Sequence, residues 1–178
     1  MAAAGRRPCR TLGQRPVSVF VSVGSMMPFE RLVRAMDAWA ARHPEVPVEI
    51  QIGRGSYEPV HAGWVRLMPV DEYRRKVAGA RLFVAHAGMG SIITAIEAGK
   101  PLLMLPRLRA EGEHNTDHQL ATAASIGSRP GLHVAGNAAD LQARASVLLA
   151  DAGTPPAPIA RHADPAFTDR IRAFIEAP

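Results

Sequence analysis

HAGMGSIITAIEAGKPLLMLPRLRAEGEHNTDHQ, residues 86–119, is the stretch of the sequence that decides the fold. It follows an apolar run at residues 82–85 and contains a second apolar run, Leu102–Leu105. Between the two runs lie a glycine-containing turn and a short helical segment closed by Gly99 and Pro101. Short apolar runs bounded by glycine and proline are typical of buried strands, so this stretch predicts strand, glycine loop, helix and strand.

The glycine loop has the composition of an anion-binding turn. Gly88 and Gly90 remove two Cβ atoms, which lets the backbone approach a ligand closely and take unusual φ values. Ser91 falls in the first turn of the predicted helix, where its hydroxyl, the free N–H groups and the helix dipole favour a negative charge. His86 adds another donor. For the glycines alone the alternative is an ordinary packed turn, because one Gly-x-Gly is weak evidence.

A polar segment follows the second strand and leads into an apolar helix at residues 120–126. Asp117 and Gln119 flank the start of that helix, at the carboxyl end of the strand, and His114 and Asn115 precede them. In this position their side chains are expected to exchange hydrogen bonds with the hydroxyls of a sugar. The alternative for Asp117 and Gln119 is that they cap the helix.

Taken together, these motifs resemble a known family. The pattern His-x-Gly-x-Gly-Ser, then Gly-Lys-Pro, a strand ending in proline and Asp-x-Gln is similar to the carboxyl-terminal domain of glycosyltransferase family 28 and related GT-B enzymes. It is most similar to the small catalytic subunits of two-part enzymes, namely the dolichol-pathway N-acetylglucosaminyltransferase subunit and its bacterial exopolysaccharide counterparts. The resemblance extends over residues 17–150 and implies a single GT-B donor-binding half.

The resemblance implies roles for particular residues. His86, Gly88, Gly90 and Ser91 match the loop that contacts the diphosphate, and Asp117 and Gln119 match residues that bind the donor sugar. The full set of donor-binding residues expected from the motifs and the resemblance is Gly24, Ser25, His86, Gly88, Met89, Gly90, Ser91, Thr94, His114, Asn115, Asp117 and Gln119.

One position departs from the family pattern. These families usually carry a glutamate eight residues after the loop histidine, where it binds the ribose hydroxyls, and this chain has Thr94. A threonine offers one hydroxyl in place of a bidentate carboxylate, so ribose binding is expected to be weaker or to use another group. Glu97 lies one helical turn later and matches a second acidic position of the two-part enzymes, but a solvent-facing position is the favoured interpretation.

The function implied by the resemblance is inverting transfer of a sugar from a UDP-sugar to a lipid-linked or polysaccharide-precursor acceptor. His86 is expected to stabilise the leaving diphosphate, no catalytic base is identified, and no metal or other cofactor is expected. The alternative is a non-catalytic nucleotide- or nucleotide-sugar-binding regulatory module. A dinucleotide oxidoreductase is disfavoured, because the glycine loop follows the fourth predicted strand and residues 17–24 lack a complete Gly-x-Gly-x-x-Gly.

Length and composition fit one half of a two-part enzyme. With 178 residues and 47% hydrophobic content the chain is expected to form one α/β domain, and it is too short for a two-domain GT-B enzyme. The net charge of +5 comes mainly from arginine, but no zinc-ligand spacing or helix-turn-helix accompanies it, so nucleic acid is not an expected partner. The single cysteine, Cys9, excludes an internal disulfide and is typical of a reducing cytoplasm.

The periodicity along the chain predicts a doubly wound parallel sheet. Strands are expected at residues 17–23, 48–52, 64–67, 82–85, 102–105 and 132–134, with helices between them. Strands that alternate with helices predict right-handed crossovers and a Rossmann-like sheet with strand order 3-2-1-4-5-6. In that order the loops after strands 1 and 4, which hold Gly24, Ser25 and residues 86–91, meet at one ligand-binding crevice.

The predicted domain organisation has three parts. Residues 1–15 form a flexible basic arm, residues 16–152 the nucleotide-sugar-binding domain, and residues 153–178 a proline-rich linker and a helix. Phe167, Ile171, Phe174 and Ile175 form an apolar stripe on that helix, which either docks on its own domain or contacts a partner. No apolar run is long enough to span a bilayer, and no signal peptide is expected. The predicted location is therefore the cytoplasm, with recruitment to the cytoplasmic membrane face by a membrane-anchored partner.

Overall fold

A computed structural model describes residues 18–151, 154–160 and 162–177. The basic arm and Cys9 predicted at the amino terminus lie outside these residues. The strands are β1 (Val19–Ser22), β2 (Val48–Gln51), β3 (Gly63–Val65), β4 (Leu82–His86), β5 (Leu102–Leu105) and β6 (Leu132–Val134). The helices are α1 (Glu30–Arg42), α2 (Val70–Gly79), α3 (Met89–Ala98), α4 (His118–Ile126), α5 (Ala138–Ala150) and α6 (Pro165–Glu176), and a short 3₁₀ turn lies at Arg109–Glu111.

The six strands form one parallel sheet in the order β3-β2-β1-β4-β5-β6. This confirms the predicted fold class and strand order. The direction in which strands are added to the sheet reverses between β1 and β4. These two strands are direct neighbours and pair from Val19 opposite Leu82 to Ser22 opposite Ala85. The loops that leave these two strands therefore separate to opposite faces of the sheet and open a crevice between them.

The sheet is buried on both faces. On one side β1 and β2 place Val19, Val21 and Ile50 against α1 and α5; on the other, Phe20 and Phe83 lie against α2 and α3. Burial on both faces explains why the parallel strands have almost continuous apolar sequences. The apolar residues at helical spacing in and just before α1 are all buried, namely Phe29, Leu32, Val33, Met36, Trp39 and Ala40.

Strand β2 alternates apolar and polar residues, yet both kinds of side chain are buried. Alternation is typical of a strand with one solvated face, yet Glu49 and Gln51 are as buried as their apolar neighbours. Glu49 is held by an ion pair with Lys76 of α2 at 2.7 Å, and the side-chain oxygen of Gln51 accepts from the main-chain N–H of Met68 at 3.3 Å. The polar side chains of β2 are thus covered by α2 and its preceding loop, which local periodicity does not reveal.

Helix ends follow the sequence signals closely. Gly99 closes α3 in the left-handed conformation with φ of 61°, a geometry that glycine adopts without steric cost. Asn137 caps α5, because its side-chain oxygen accepts from the main-chain N–H of Asp140 at 2.9 Å. The predicted end of α3 at Gly99 is confirmed. The ends of α3 and α5 are therefore fixed by local sequence.

Helix α6 carries an apolar stripe with no partner in the described part of the chain. It begins after Asp164, whose side chain caps it, and no residue of the helix is buried. Phe174 is 84% exposed and Ile175 is 73% exposed. Of the two predicted alternatives, docking of α6 on its own domain is therefore not found in the described residues. Among the described residues no helix combines the length and apolar character needed to cross a membrane.

Candidate donor-binding crevice

A crevice of about 640 Å³ opens at the carboxyl ends of the strands, where β1 and β4 diverge. Ten of the twelve sequence-predicted site residues line it, namely Gly24, Ser25, His86, Gly88, Gly90, Ser91, Thr94, His114, Asn115 and Gln119. Its size lies in the range of small-molecule sites, and its position is the switch point where doubly wound sheets bind ligands. The fold therefore brings together loops that are up to 95 residues apart in the sequence, from Gly24 to Gln119.

The glycines of the crevice make room for the His86 ring. A Cβ on Gly24 would lie 2.8 Å from Cε1 of His86, and a Cβ on Gly88 would overlap its Nε2. Gly88 and Gly90 do not take positive φ values, so the expectation of unusual backbone angles at these two residues is wrong. Gly24 does take one, with φ of 79°. Gly90 has open space where its Cβ would be, which leaves the first turn of α3 accessible to a ligand.

His86 is a neutral imidazole at neutral pH. Burial, and after it the positive charge of Arg107, lower the pKa of His86 to about 4 from 6.5. A main-chain contact with Ser22 partly opposes this shift, and within the described residues the buried Nδ1 makes no hydrogen bond of good geometry. In the absence of ligand the ring therefore contributes hydrogen-bonding capacity to the crevice but no charge.

This pKa predicts a specific pH dependence of stability. The unfolded chain binds a proton to His86 near pH 6.5 and the folded chain only near pH 4, so stability is lost as the pH falls through this window. The loss due to His86 is on the order of 2–3 kcal/mol. We expect urea unfolding at pH 7.5 and 4.5 to show this loss in the wild type and not in His86→Asn. Equal losses in the two proteins would contradict the assignment.

Arg107 is the residue that connects the two walls of the crevice. Its guanidinium donates to the carbonyls of Val23 at 2.8 Å, Met27 at 2.7 Å and Glu113 at 3.0 Å, and also to that of Pro28. It lies over the ring of Phe29 at 4.7 Å, and the whole residue is 2% exposed. One side chain after β5 thus fixes the loop after β1, which lines the crevice.

The nearest carboxylate to this guanidinium is already paired. Glu113 accepts from Nε and Nη2 of Arg31, at 2.8 and 2.7 Å, and from the main-chain N–H of Leu108. The Glu113 carboxylate is therefore paired with Arg31, and the positive charge of Arg107 is solvated by main-chain carbonyls. The sequence places Arg107 in a polar segment after β5 and assigns it no role in the site. Its position directly after Pro106, at the carboxyl end of β5, is the signal that could have identified it.

Ser91 and Thr94 lie on the α3 wall of the crevice. Ser91 is buried beside the hydroxyl of Tyr73. Burial raises the pKa of Tyr73, and hydrogen bonds with Ser91 and Ser22 offset part of this rise. The hydroxyl of Thr94 donates to the carbonyl of Gly90 at 2.7 Å within the same helix. Thr94 therefore faces the crevice with its only proton already donated. Glu97 is exposed and does not line the crevice, as expected.

Two predicted site residues lie outside the lining. Met89 begins α3 and is 54% exposed, and the carboxylate of Asp117 accepts from the main-chain N–H of Arg109 at 2.9 Å. Asp117 precedes α4, but its side chain forms no cap hydrogen bond. Gln119 is buried, and its side-chain oxygen accepts from the main-chain N–H of Arg107 at 3.1 Å. The free group of Gln119 is its amide nitrogen.

Within residues 18–151, 154–160 and 162–177, no group of three or more histidine, cysteine, aspartate or glutamate side chains is arranged to hold a metal ion.

Fold and crevice define a class of protein, the Rossmann-like α/β domains with an open crevice at the switch point of a parallel sheet. The family is shown by sequence: residues 18–129 match the model of the glycosyltransferase family 28 C-terminal domain, and the chain belongs to that family. No curated protein compared with the sequence matches it significantly.

Solved glycosyltransferases share the fold. The glycotransferase of kitacinnamycin is 21% identical, with a TM-score of 0.59, over 95% of this chain and 42% of its own. A UDP-glucose:anthocyanidin 3-O-glucosyltransferase in complex with UDP is 16% identical, with a TM-score of 0.55, over 76% of this chain and 32% of its own. Os79 from O. sativa in complex with UDP is 14% identical, with a TM-score of 0.53, over 79% of this chain and 35% of its own. The chain thus spans less than half the length of these proteins.

Proposed function

We propose that this chain is the donor-binding and catalytic half of an inverting glycosyltransferase that takes its sugar from a UDP-sugar. The observation that carries the proposal is the crevice itself, in which the accessible N-terminus of α3, His86 and the positive charge of Arg107 surround one space. Membership of family 28 supports sugar transfer, and two of the structural relatives were solved with UDP.

In this proposal the crevice acts on the leaving group. As the bond between sugar and diphosphate breaks, negative charge accumulates on the diphosphate oxygens. Main-chain N–H groups of the first turn of α3 already point toward that charge, and the positive charge of Arg107 is held in place nearby. Both therefore stabilise the diphosphate without reorganising. Since burial keeps His86 neutral, its ring donates a hydrogen bond to an oxygen, and an added negative charge beside it raises its pKa.

Calorimetric titration with UDP tests the donor site. We expect the wild type to bind UDP, and His86→Ala and Ser91→Ala to bind it roughly ten- to hundredfold more weakly, because each loses hydrogen bonds to a charged group worth about 1.5–3 kcal/mol. Ser128→Ala is a matched control, since Ser128 is exposed and outside the crevice. Equal UDP affinity in the wild type and the three variants would show that the diphosphate does not bind at this loop.

The proposal includes a partner that supplies the acceptor domain and anchors the complex at the cytoplasmic face of the membrane. The support for a partner is that α6 presents its apolar stripe to solvent. A few buried aromatic and aliphatic anchors contribute much of the energy of a protein interface, and Phe174 and Ile175 are the most exposed members of this stripe. A lipid-linked acceptor would then reach the crevice from the partner's side.

Co-expression with a candidate membrane-anchored partner tests this part. We expect transfer from a radiolabelled UDP-sugar only when both chains are present, and loss of membrane recruitment in Phe174→Ser with Ile175→Ser and in the chain truncated after Ala152. Arg170→Ser, on the same exposed helix, is the control. Transfer to a lipid acceptor by the purified chain alone would contradict the partner requirement. UDP binding without turnover in any combination would favour the regulatory-module alternative.

A further inference from the structure

The crevice has an unusual charge for a sugar site. Its described lining contains two arginines, Arg74 and Arg107, and three histidines, His86, His114 and His118, but no aspartate or glutamate. Sugar hydroxyls both donate and accept hydrogen bonds, and carboxylates are strong acceptors for the hydroxyl protons. A crevice of this composition is rich in donors and offers few charged acceptors.

The strand order gives the crevice one end toward β3 and another toward β5. Apolar side chains from the end of β1 and the β3–α2 segment, namely Val23, Leu67, Met68 and Val70, line one end, which suits a planar base. The α3 N-terminus lies in the middle and suits the diphosphate. His114 and His118, from the segment between β5 and α4, line the other end, where the transferred sugar would lie.

At the sugar end no carboxylate lines the described crevice, and side-chain donors are free. Asp117 accepts from the main chain of Arg109 and does not line the crevice. The side-chain oxygen of Gln119 accepts from the main chain of Arg107, which leaves its NH₂ group for a ligand. Nδ1 of His114 accepts from the main-chain N–H of Thr116 at 3.3 Å, so the neutral ring carries its proton on Nε2.

The two histidines act as a pair. Their rings meet edge to face, with centroids 4.5 Å apart and planes at 73°. Nδ1 of His118 is hydrogen-bonded to the hydroxyl of Thr116 at 2.7 Å, so its Nε2 is the nitrogen left for a ligand. Thr116 thus orients both rings, and neither ring has a carboxylate partner in the part of the chain that the structure describes.

We infer that the transferred sugar is a uronic acid, whose carboxylate is bound by His114 and His118 at the β5 end of the crevice. A carboxylate needs only donors, and these two rings with the amide of Gln119 supply them. This inference rests on the proposed function, because it requires a nucleoside diphosphate in the middle of the crevice. It adds the chemical class of the sugar.

Calorimetry on the full chain with four donors tests the inference. We expect UDP-glucuronate and UDP-galacturonate to bind at least about tenfold more tightly than UDP-glucose and UDP-galactose, which corresponds to about 1.4 kcal/mol. The comparison needs no variant, so it does not depend on whether a variant folds. Equal affinity for charged and neutral sugars would overturn the inference even if UDP binds. Absence of UDP binding would instead contradict the proposed function.

Variants test the residues. In His118→Gln and in the double variant with His114→Gln, we expect the preference for uronates to fall to within about twofold. His118→Glu should reverse the preference. His61→Gln is the control, because His61 is exposed and outside the crevice. A uronate preference that persists unchanged in the double variant would overturn the assignment to these histidines.

Discussion

Arg107→Met is expected to destabilise the protein by about 3 kcal/mol or more and to abolish measurable UDP binding. The substitution leaves the buried carbonyls of Val23, Met27 and Glu113 without their donor, and it removes the positive charge from the crevice. The loop after β1 then loses the contact that fixes it to the loop after β5. Denaturant unfolding measures the first effect and calorimetry with UDP the second.

Two controls separate the contributions of Arg107. Arg107→Lys retains the charge but lacks the planar fork that reaches several carbonyls at once, so we expect intermediate stability and weakened binding. Arg109→Met removes an exposed arginine two residues away, and its stability is expected to stay within about 0.5 kcal/mol of wild type. If Arg107→Met unfolds at the same denaturant concentration as Arg109→Met, the described role of Arg107 is wrong.

Gly88→Ala and Gly90→Ala are expected to behave in opposite ways although they lie two residues apart. A methyl group on Gly88 would overlap the His86 ring, so the ring must move, at a cost of about 1–3 kcal/mol and with loss of UDP binding. A methyl group on Gly90 would meet no atom of the protein, and alanine in a helix is more stable than glycine by up to about 1 kcal/mol.

Gly90→Ala therefore separates stability from binding. We expect a protein at least as stable as wild type that binds UDP more weakly, because the methyl group projects from the first turn of α3 toward the space assigned to the diphosphate. Thermal unfolding and calorimetry on the same samples provide the measurement. Unchanged UDP affinity in Gly90→Ala would show that the diphosphate does not approach this turn.

Much of the crevice could be predicted because its residues lie in local motifs. The glycine loop and the segment from His114 to Gln119 both follow apolar runs, and parallel strands bring their carboxyl ends to one edge of the sheet. The orientation of the Asp117 side chain could not be assigned in this way. Whether a carboxylate faces a ligand or a main-chain N–H depends on the conformation of its loop, which the residue type does not determine.

The sequence alone determined the order of strands and helices, the helix ends at Gly99 and Asn137, and the family, because these follow from local periodicity, from capping chemistry and from a motif of contiguous residues. Only the tertiary structure decided that His86 is neutral and that Arg107 joins two loops. Both properties arise from groups far apart in the chain: burial by other elements sets the pKa of His86, and carbonyls about 80 residues away accept from Arg107.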